Sequence, residues 1–226
     1  AELELADRII VASQFAKRTL GEYGIAPDNI AVTPYGAPAP LVCRETAVPP
    51  GARLKVMFVG ALTQQKGISY FFEALNLAAS SIALDVTVIG GDYTNGRNQA
   101  LNTELKKYRW LSSASHDQVI RHLMEADVLV LPSLAEAFGL VVGEALSTGT
   151  AVIVSQNCGA ADLIVDGFNG YVVPIRSAEA IATRLVELAD DKEKLNALKH
   201  NAVLSAGGVT WDSYAGEVLD AILCQP

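Results

Sequence analysis

Two glutamates eight positions apart, Glu136 and Glu144, lie in a stretch that otherwise consists of apolar and small residues, LPSLAEAFGLVVGEALSTGTAVIV. The preceding apolar run stops at a proline and predicts a buried strand, and LVVGEALSTG predicts a helix closed by Gly149. Glu136 is therefore predicted in the loop before the helix, and Glu144 inside it. Free N–H groups at a helix start attract an anion, whereas a carboxylate accepts hydrogen bonds from hydroxyls. The pattern predicts a ligand that carries a diphosphate and sugar rings.

Paired carboxylates also suggest glycoside hydrolysis, in which one acts as the acid and the other as the nucleophile. Glu144 lies within the predicted helix, where it is poorly placed for in-line attack, so the binding interpretation is favoured. In a chain with 25 acidic residues the glutamate spacing alone has little weight. Its value comes from the predicted order of strand, loop, helix and strand around the pair.

Three other loops follow predicted strands, and open parallel sheets bind ligands where such loops meet helix N-termini. In VGALTQQKG the strand ends at Gly60 and a helix opens at Lys66–Gly67, so backbone amides and an ammonium could meet an anion. An ordinary loop with a solvated lysine explains the same residues equally well. Gly90–Gly91 favours a tight turn over half of a dinucleotide fingerprint. Trp110, at another strand end, either packs or flanks a nucleobase, and His116 begins the next helix.

The elements that must position these residues alternate along the chain and predict an α/β fold: a doubly wound parallel sheet, Rossmann-like, with flanking helices. Residues 1–35 predict a helix, a short strand at Arg8–Ala12, a helix at Ser13–Tyr23 and a second short strand at Ile30–Pro34. Residues 36–52 predict a proline-rich linker, residues 53–210 the sheet domain, and residues 211–226 a C-terminal helix. Strands of the domain are predicted at Leu54–Val59, Asp85–Ile89, Tyr108–Leu111, Asp127–Leu131, Thr150–Val154 and Tyr171–Val173. Helices are predicted near 67–80, 97–107, 116–125, 139–148, 159–165, 177–189, 191–205 and 211–223.

Composition excludes several classes of protein. The formal net charge of −8 argues against a nucleic-acid partner, since phosphate binding requires a basic stripe. Three widely spaced cysteines without a CxxC motif favour a reducing cytoplasm, and Cys158 is interpreted as a buried loop residue. No apolar run is long enough to span a bilayer. Because the chain begins without methionine and enters a helix–strand pattern at once, we expect a fragment of a longer protein.

Four segments together resemble the retaining family-4 (group 1) glycosyltransferases of GT-B fold. They are ADRIIVASQFAKRTL with IAVTPYG, VGALTQQKG, ADVLVLPSLAEAFGLVVGEALSTGTAVIVS and CGAADLIVDGFNGYVVP. The likeness covers nearly the whole chain, and residues 127–174 are its most specific part. The resemblance implies that this chain is the C-terminal donor-binding half of a two-domain enzyme, with residues 1–35 as the last βαβ element of the acceptor domain.

By the same resemblance, the full-length enzyme would transfer a hexosyl group from a nucleoside diphosphate sugar to a glycan or lipid-linked acceptor, with retention and without a metal or cofactor. Lys66 would hold the diphosphate, Glu136 would meet the transferred sugar, and both are the implied catalytic residues. Glu144 would hold the ribose hydroxyls. The implied role is cell-envelope polysaccharide synthesis in the cytoplasm, with peripheral attachment at the inner face of the membrane as a further expectation. The implied donor-binding residues are Gly60, Ala61, Lys66, Gly91, Trp110, Leu111, Glu136, Phe138, Gly139, Leu140 and Glu144.

One departure from the family pattern keeps a second interpretation open. The family often has arginine directly after the glycine of the first loop, whereas this chain has Ala61. A lone lysine does not replace the bidentate phosphate contact of a guanidinium, so either Arg97 or Arg109 supplies the charge, or the chain is a catalytically degenerate binding module. A nicotinamide-dependent oxidoreductase shares the fold class but lacks the glycine fingerprint in this sequence.

Overall fold

A computed structural model of the chain describes residues 3, 5–41, 51–94 and 96–223. It contains a six-stranded sheet and, before it, a separate two-stranded sheet. All strand pairs in both sheets are parallel. The predicted doubly wound parallel sheet with flanking helices is therefore confirmed.

The N-terminal unit consists of β1 (Ile9–Val11), α1 (Gln14–Glu22) and β2 (Ile30–Val32). Its two strands pair in parallel, with Ile9 opposite Ile30. Of the predicted linker, residues 42–50 lie outside the described residues. The part before them is tied to the C-terminal half of the chain, because the Ala37 amide donates to the Val209 carbonyl at 2.8 Å and the Leu41 amide donates to the Ser147 carbonyl at 2.9 Å.

The larger sheet alternates with helices in the order expected for right-handed crossovers. Its strands are β3 (Leu54–Val59), β4 (Leu84–Ile89), β5 (Arg109–Leu111), β6 (Val128–Leu131), β7 (Ala151–Ser155) and β8 (Gly170–Val173). The helices are α2 (Ile68–Ala78), α3 (Gln99–Leu105), α4 (His116–Glu125), α5 (Leu140–Ser147), α6 (Ala178–Asp190), α7 (Lys192–Ala206) and α8 (Trp211–Leu223).

The strand order is β5-β4-β3-β6-β7-β8. The chain thus builds outward from β3 to one side, then crosses back to place β6 against β3 and builds to the other side. Strands β6 and β7 are buried along their whole length, as apolar runs in a covered parallel sheet should be. Helix α2 contacts α6, and α5 contacts α4 and α7, so helices cover the sheet in two groups.

Two predicted elements differ from the prediction. Of the helix predicted before the first strand, the described residues 3 and 5–7 form turn, bend or irregular backbone, and the rest lies outside the described residues. The helix expected at 159–165 is a 3-10 helix, Gly159–Leu163. The reason is local crowding: an added Cβ on Gly159 would lie 2.1 Å from the Ala137 carbonyl oxygen and 2.5 Å from Ser13 Oγ. The backbone is held there by the Gly159 and Ala160 amides, which donate to the Glu136 and Phe138 carbonyls at 2.8 and 2.6 Å.

Candidate functional site

The loops after β3 and β6 lie side by side at the carboxyl edge of the sheet, where the strand order changes direction. The Leu134 amide donates to the Gln65 carbonyl at 2.7 Å, and Gln65 Nε2 donates to the Ala135 carbonyl at 3.1 Å. Open α/β sheets bind ligands at such a switch point, because loops that leave it in opposite directions open a crevice. The fold therefore joins the two loops that carry Lys66 and Glu136.

A cavity of about 560 Å³ opens between these loops, and we call it the switch-point cavity. Lys66 and Glu136 form an ion pair there, with 26% and 16% of their side chains exposed. Burial lowers the pKa of the Lys66 ammonium from its ordinary value. The predicted site residues that line the cavity are Gly60, Lys66, Glu136, Phe138, Gly139 and Leu140.

The two helices that follow these loops, α2 and α5, differ from the others at their N-termini. The start of α5, with Gly139 and Leu140, lines the switch-point cavity, whereas Ile68 and Ser69 at the start of α2 line a different cavity. Each starts after a glycine in the left-handed region, Gly67 at φ +73° and Gly139 at φ +96°, and neither glycine position offers a side chain to cap the helix. By contrast, a side-chain oxygen accepts a hydrogen bond from a first-turn amide in each of α1, α3, α4, α6 and α7. The partial positive charge at the start of α5 is therefore left for another group, whereas at the start of α2 the Ile68 amide already donates to the Thr63 carbonyl at 3.3 Å.

The carbonyls of residues 136–138, in the loop before α5, each accept a hydrogen bond. Ser13 Oγ donates to the Ala137 carbonyl at 2.6 Å. The Gly159 amide donates to the Glu136 carbonyl, and the Ala160 amide donates to the Phe138 carbonyl. Cys158 Sγ lies 3.2 Å from the Phe138 carbonyl, and burial raises the pKa of the Cys158 thiol to about 11. This thiol is a packing group, as the sequence predicted.

One wall of the switch-point cavity comes from the N-terminal unit, which sequence reasoning did not include in the site. Val11, Ala12, Ala16 and Tyr35 line this wall, and the Tyr35 ring meets the buried Phe138 ring edge-on at 5.2 Å. Val11 ends β1 and Ala12 follows it, so both lie at the carboxyl end of the strand, which is the edge where parallel sheets place ligands. Their position at the end of a predicted strand was the feature of the sequence that could have placed them at the site.

A second group of predicted residues lies at the ends of β4 and β5 and does not line the switch-point cavity. The Leu62 amide, next to Ala61, donates to the Gly91 carbonyl at 3.1 Å. Trp110 Nε1 donates to the Gly90 carbonyl at 3.0 Å, and the Leu111 carbonyl accepts from the Gly90 amide at 2.9 Å. Trp110 is 38% exposed beside this loop.

Glu144 belongs to neither of these two groups of predicted residues. It lies four residues after Leu140 on α5 and so shares the helix face that reaches the cavity. Its Oε1 is 3.1 Å from Nε2 of His116, the first residue of α4. The two glutamates thus have separate basic partners, Lys66 for Glu136 and His116 for Glu144.

The structure does not bring Arg109 to the site. Arg109 is the first residue of β5 and lines a small cavity with Lys55, Asp85 and Glu125 at the amino ends of the strands. It therefore cannot replace the charge missing at Ala61. Arg97 is exposed in the loop after β4, at the carboxyl edge.

A larger cavity of about 920 Å³ lies between α2 and α3, and Phe72, Leu77 and Leu101 are among its lining residues. None of the predicted site residues lines it. Within the described ranges, no three His, Cys, Asp or Glu side chains group as metal ligands do, and no helix there is both long and apolar enough to cross a bilayer. The expectation that no metal is needed stays a prediction.

Comparison with known proteins adds the family. A family model described as Glycosyl transferases group 1 matches residues 44–204. The chain is 30% identical over 229 residues to the D-inositol 3-phosphate glycosyltransferase of Arthrobacter sp. (strain FB24), covering 91% of this chain and 52% of that protein. It therefore spans about half the length of such curated relatives.

Two solved structures illustrate the likeness in fold. Sucrose-phosphate synthase from Thermosynechococcus elongatus superposes with a TM-score of 0.79 at 21% identity, over 98% of this chain and 59% of that one. Anabaena HepE in complex with UDP and glucose superposes with a TM-score of 0.78 at 17% identity, over 97% of this chain and 63% of that one. At these identities the likeness establishes the fold.

Proposed function

Because the chain belongs to the group 1 glycosyl transferases, we propose that it is the donor-binding half of an enzyme that transfers a hexosyl group to a glycan or lipid-linked acceptor. The donor is a nucleoside diphosphate sugar, and the anomeric configuration is retained. The observation that carries this proposal is the start of α5 at Gly139, which has no side-chain cap and lines the switch-point cavity together with the Lys66–Glu136 ion pair.

A diphosphate fits the start of α5, because backbone N–H groups and the positive end of the helix dipole favour an anion. Lys66, which lines the same cavity, adds a full positive charge. On donor binding its ammonium would be shared between the diphosphate and Glu136, and this sharing stabilises the negative charge that develops on the leaving group. Glu136 would then accept hydrogen bonds from hydroxyls of the transferred sugar.

In the proposed reaction, the acceptor oxygen bonds to the anomeric carbon as the bond from that carbon to the phosphate oxygen breaks. The acceptor proton passes to the leaving phosphate, so no protein base is required on that face. Cys158 is too buried, and the pKa of its thiol too high, to serve as a nucleophile in this reaction. Because the carbonyls of residues 136–138 already accept hydrogen bonds, the backbone amides at the start of α5 are the groups that would face the diphosphate.

The nucleoside would extend from the switch-point cavity along the ends of β4 and β5. Glu144, on the same face of α5 as Leu140, would hold the ribose hydroxyls, while Trp110 and Leu111 would flank the base. The partial exposure of Trp110 and the hydrogen bond from its indole N–H to the Gly90 carbonyl support this arrangement. A cytoplasmic location, with peripheral attachment to the inner face of the membrane, stays part of the proposal.

The acceptor would enter from the side of the N-terminal unit, which we propose is the last βαβ element of an acceptor domain. Its residues Val11, Ala12 and Ala16 already form one wall of the cavity. Since this chain covers 52% of its inositol-phosphate relative, the remaining acceptor groups would lie elsewhere in a longer protein. We expect this chain alone to bind the donor and to turn nothing over.

A second candidate is a binding module with this fold that catalyses no transfer. Ala61 favours it, because the position after Gly60 offers no guanidinium and Arg109 lies at the other edge of the sheet. Transfer activity in a protein that contains this chain together with an acceptor domain would exclude this candidate.

The proposal is tested by titrating the chain with UDP, GDP and ADP, and with the corresponding glucose nucleotides, in EDTA. Glu144→Ala should weaken free nucleotide roughly tenfold or more, because a hydrogen bond to a charged group is lost. Glu136→Ala should weaken only the sugar nucleotide, and Lys66→Ala should weaken both. Glu73→Ala, at an exposed position on α2, is the matched control.

Equal losses of nucleotide affinity in Glu136→Ala and Glu144→Ala would show that the two roles are wrongly assigned. Preferential binding of NAD over every nucleoside diphosphate would overturn the transferase proposal itself.

A further inference from the structure

His116 is a side chain that the proposed function leaves without a role, although it touches a residue of the proposed site. Its Nε2 lies 3.1 Å from Glu144 Oε1, across 28 positions of sequence and from a different helix. An ionised carboxylate can only accept, so the contact requires a proton on Nε2 of the imidazole. The histidine is 64% exposed and the glutamate 16% exposed.

The backbone that presents the imidazole is fixed. His116 is the first residue of α4, directly after Ser115, which forms a capping box with Gln118. The Ser115 amide donates to Gln118 Oε1 at 2.8 Å, and the Gln118 amide donates to Ser115 Oγ at 3.3 Å. At the other end of α4, the Leu123 carbonyl accepts from the buried Thr150 hydroxyl at 2.6 Å. The helix therefore holds His116 in one place beside α5.

The contact leaves Glu144 with binding capacity. A carboxylate has two oxygens and about four lone-pair positions, and the imidazole occupies one of them on Oε1. Oε2 and the remaining positions can accept from the two hydroxyls of a vicinal diol. A free glutamate side chain, by contrast, samples many rotamers and must lose that freedom when it binds.

We infer that His116 is a positioning residue: it holds the Glu144 carboxylate in the orientation that receives the ribose hydroxyls, and the pair sets a preference for ribonucleotides over 2′-deoxyribonucleotides. This inference rests on the proposed function, since it needs a nucleotide at the site. It concerns the nucleoside end of the donor and is independent of the Lys66–Glu136 pair, which lies in the switch-point cavity on different loops.

The test measures the dissociation constants of UDP and 2′-deoxy-UDP by isothermal titration calorimetry on the full chain. If GDP or ADP binds more tightly than UDP, that nucleotide and its 2′-deoxy form are used. The wild type should prefer the ribonucleotide roughly tenfold to a hundredfold, and Glu144→Ala should abolish the preference. His116→Ala should reduce the preference to about threefold or less, with the larger loss on the ribonucleotide.

Three further variants separate positioning from a general structural effect. His116→Gln keeps an N–H donor of similar reach and should restore most of the preference. His116→Ala in a Glu144→Ala background should cause no further change in the preference, because the effect acts through the glutamate. His122→Ala, the same substitution near the other end of α4, should leave the preference unchanged.

An unchanged preference in His116→Ala, or an equal effect of His116→Ala with and without Glu144, would overturn the inference while the proposed function stands. A wild-type chain that binds nucleotide without any ribose preference would overturn it as well. A chain that binds none of the nucleoside diphosphates would remove the proposed function and this inference together.

Discussion

Gly67 and Gly167 have nearly the same φ angle but differ in how closely other atoms approach them. Their φ values are +73° and +75°, so an L side chain is strained at both. An added Cβ at Gly67 would lie 2.0 Å from the Pro132 carbonyl oxygen, whereas one at Gly167 would have nothing within 4 Å. At Gly67 the absent side chain lets the loop that carries Lys66 approach the loop that carries Glu136.

We therefore expect Gly67→Ala to be more costly than Gly167→Ala. The Gly167 variant should lose about 1 kcal/mol of unfolding free energy, from backbone strain alone. The Gly67 variant should lose at least about 2 kcal/mol more, because the two loops must separate, and its nucleotide affinity should fall with it. Urea unfolding measures the first quantity and calorimetric titration the second. Equal destabilisation by both alanines would mean that the close approach of the loops is unimportant.

At the residue scale, the sequence indicated which residues lie at the candidate site, but it did not indicate which of them form pairs. Lys66, Glu136 and Gly139 could be assigned to one edge of a sheet because each follows an apolar run that ends a strand. The pairing of Lys66 with Glu136, and of His116 with Glu144, joins residues on separate elements. Such pairings follow from strand order, which one sequence does not reveal. The wall formed by Val11 and Ala12 was missed because small apolar residues carry no chemical signal.

At the element scale, the strands and helices were largely predictable because each apolar run is bounded by glycine, proline or a capping residue. Helix α4 begins and ends at the predicted residues, and β3 does also. The 3-10 helix at Gly159–Leu163 was predicted as an ordinary helix, since its backbone geometry depends on contacts with Ala137 and Ser13 that are distant in sequence. The local sequence pattern therefore predicts most helices and strands, whereas contacts between distant residues determine the 3-10 helix.

One cluster joins three elements and makes their packing depend on pH. Glu187 of α6 accepts hydrogen bonds from Arg184 at 2.7 Å, from Tyr171 of β8 at 3.1 Å, and from Lys194 of α7. Burial opposes ionisation of Glu187, but the hydrogen bonds from Lys194, Arg184 and Tyr171 outweigh it and lower the pKa of its carboxyl from 4.5 to about 2. The cluster therefore stabilises the fold only while Glu187 is ionised.

We expect Glu187→Gln to destabilise the protein at neutral pH by about 1 kcal/mol, after allowance for solvent screening. A depressed folded-state pKa gives stability that is complete above the unfolded value of 4.5 and is lost as the pH falls towards about 2. The difference in unfolding free energy between wild type and variant should therefore shrink below pH 4.5 and fall to less than half by about pH 3. Urea unfolding at pH 7, 5 and 3 measures it.

Glu179→Gln, at an exposed position of the same helix, is the control, and its small effect should be similar at all three pH values. A Glu187→Gln difference that stays constant from pH 7 to pH 3 would show that the carboxylate charge does not tie these elements together.

At the scale of the whole molecule, the two edges of the sheet have separate tasks. The carboxyl edge holds the switch-point cavity, the uncapped start of α5 and the proposed donor site. At the amino edge polar groups satisfy one another. Asp127 is 4% exposed and accepts from the Lys55 amide at 3.0 Å and from Lys199 Nζ at 2.9 Å, which joins β3, β6 and α7. Stability and binding should therefore respond to different substitutions.

Asp127→Ala should cost about 3 kcal/mol or more, because it leaves the ammonium of Lys199 without its partner in a largely buried place. For a chain of this length the melting temperature should fall by roughly 10 °C. Nucleotide affinity, measured by titration well below that temperature, should stay within about twofold, because the substitution lies at the opposite edge from the cavity. Asp127→Ala combined with Lys199→Met removes both charges and should recover much of the stability. If Asp127→Ala instead weakened nucleotide binding as strongly as Lys66→Ala while the chain remained folded, the two edges would be coupled and the division of tasks would be wrong.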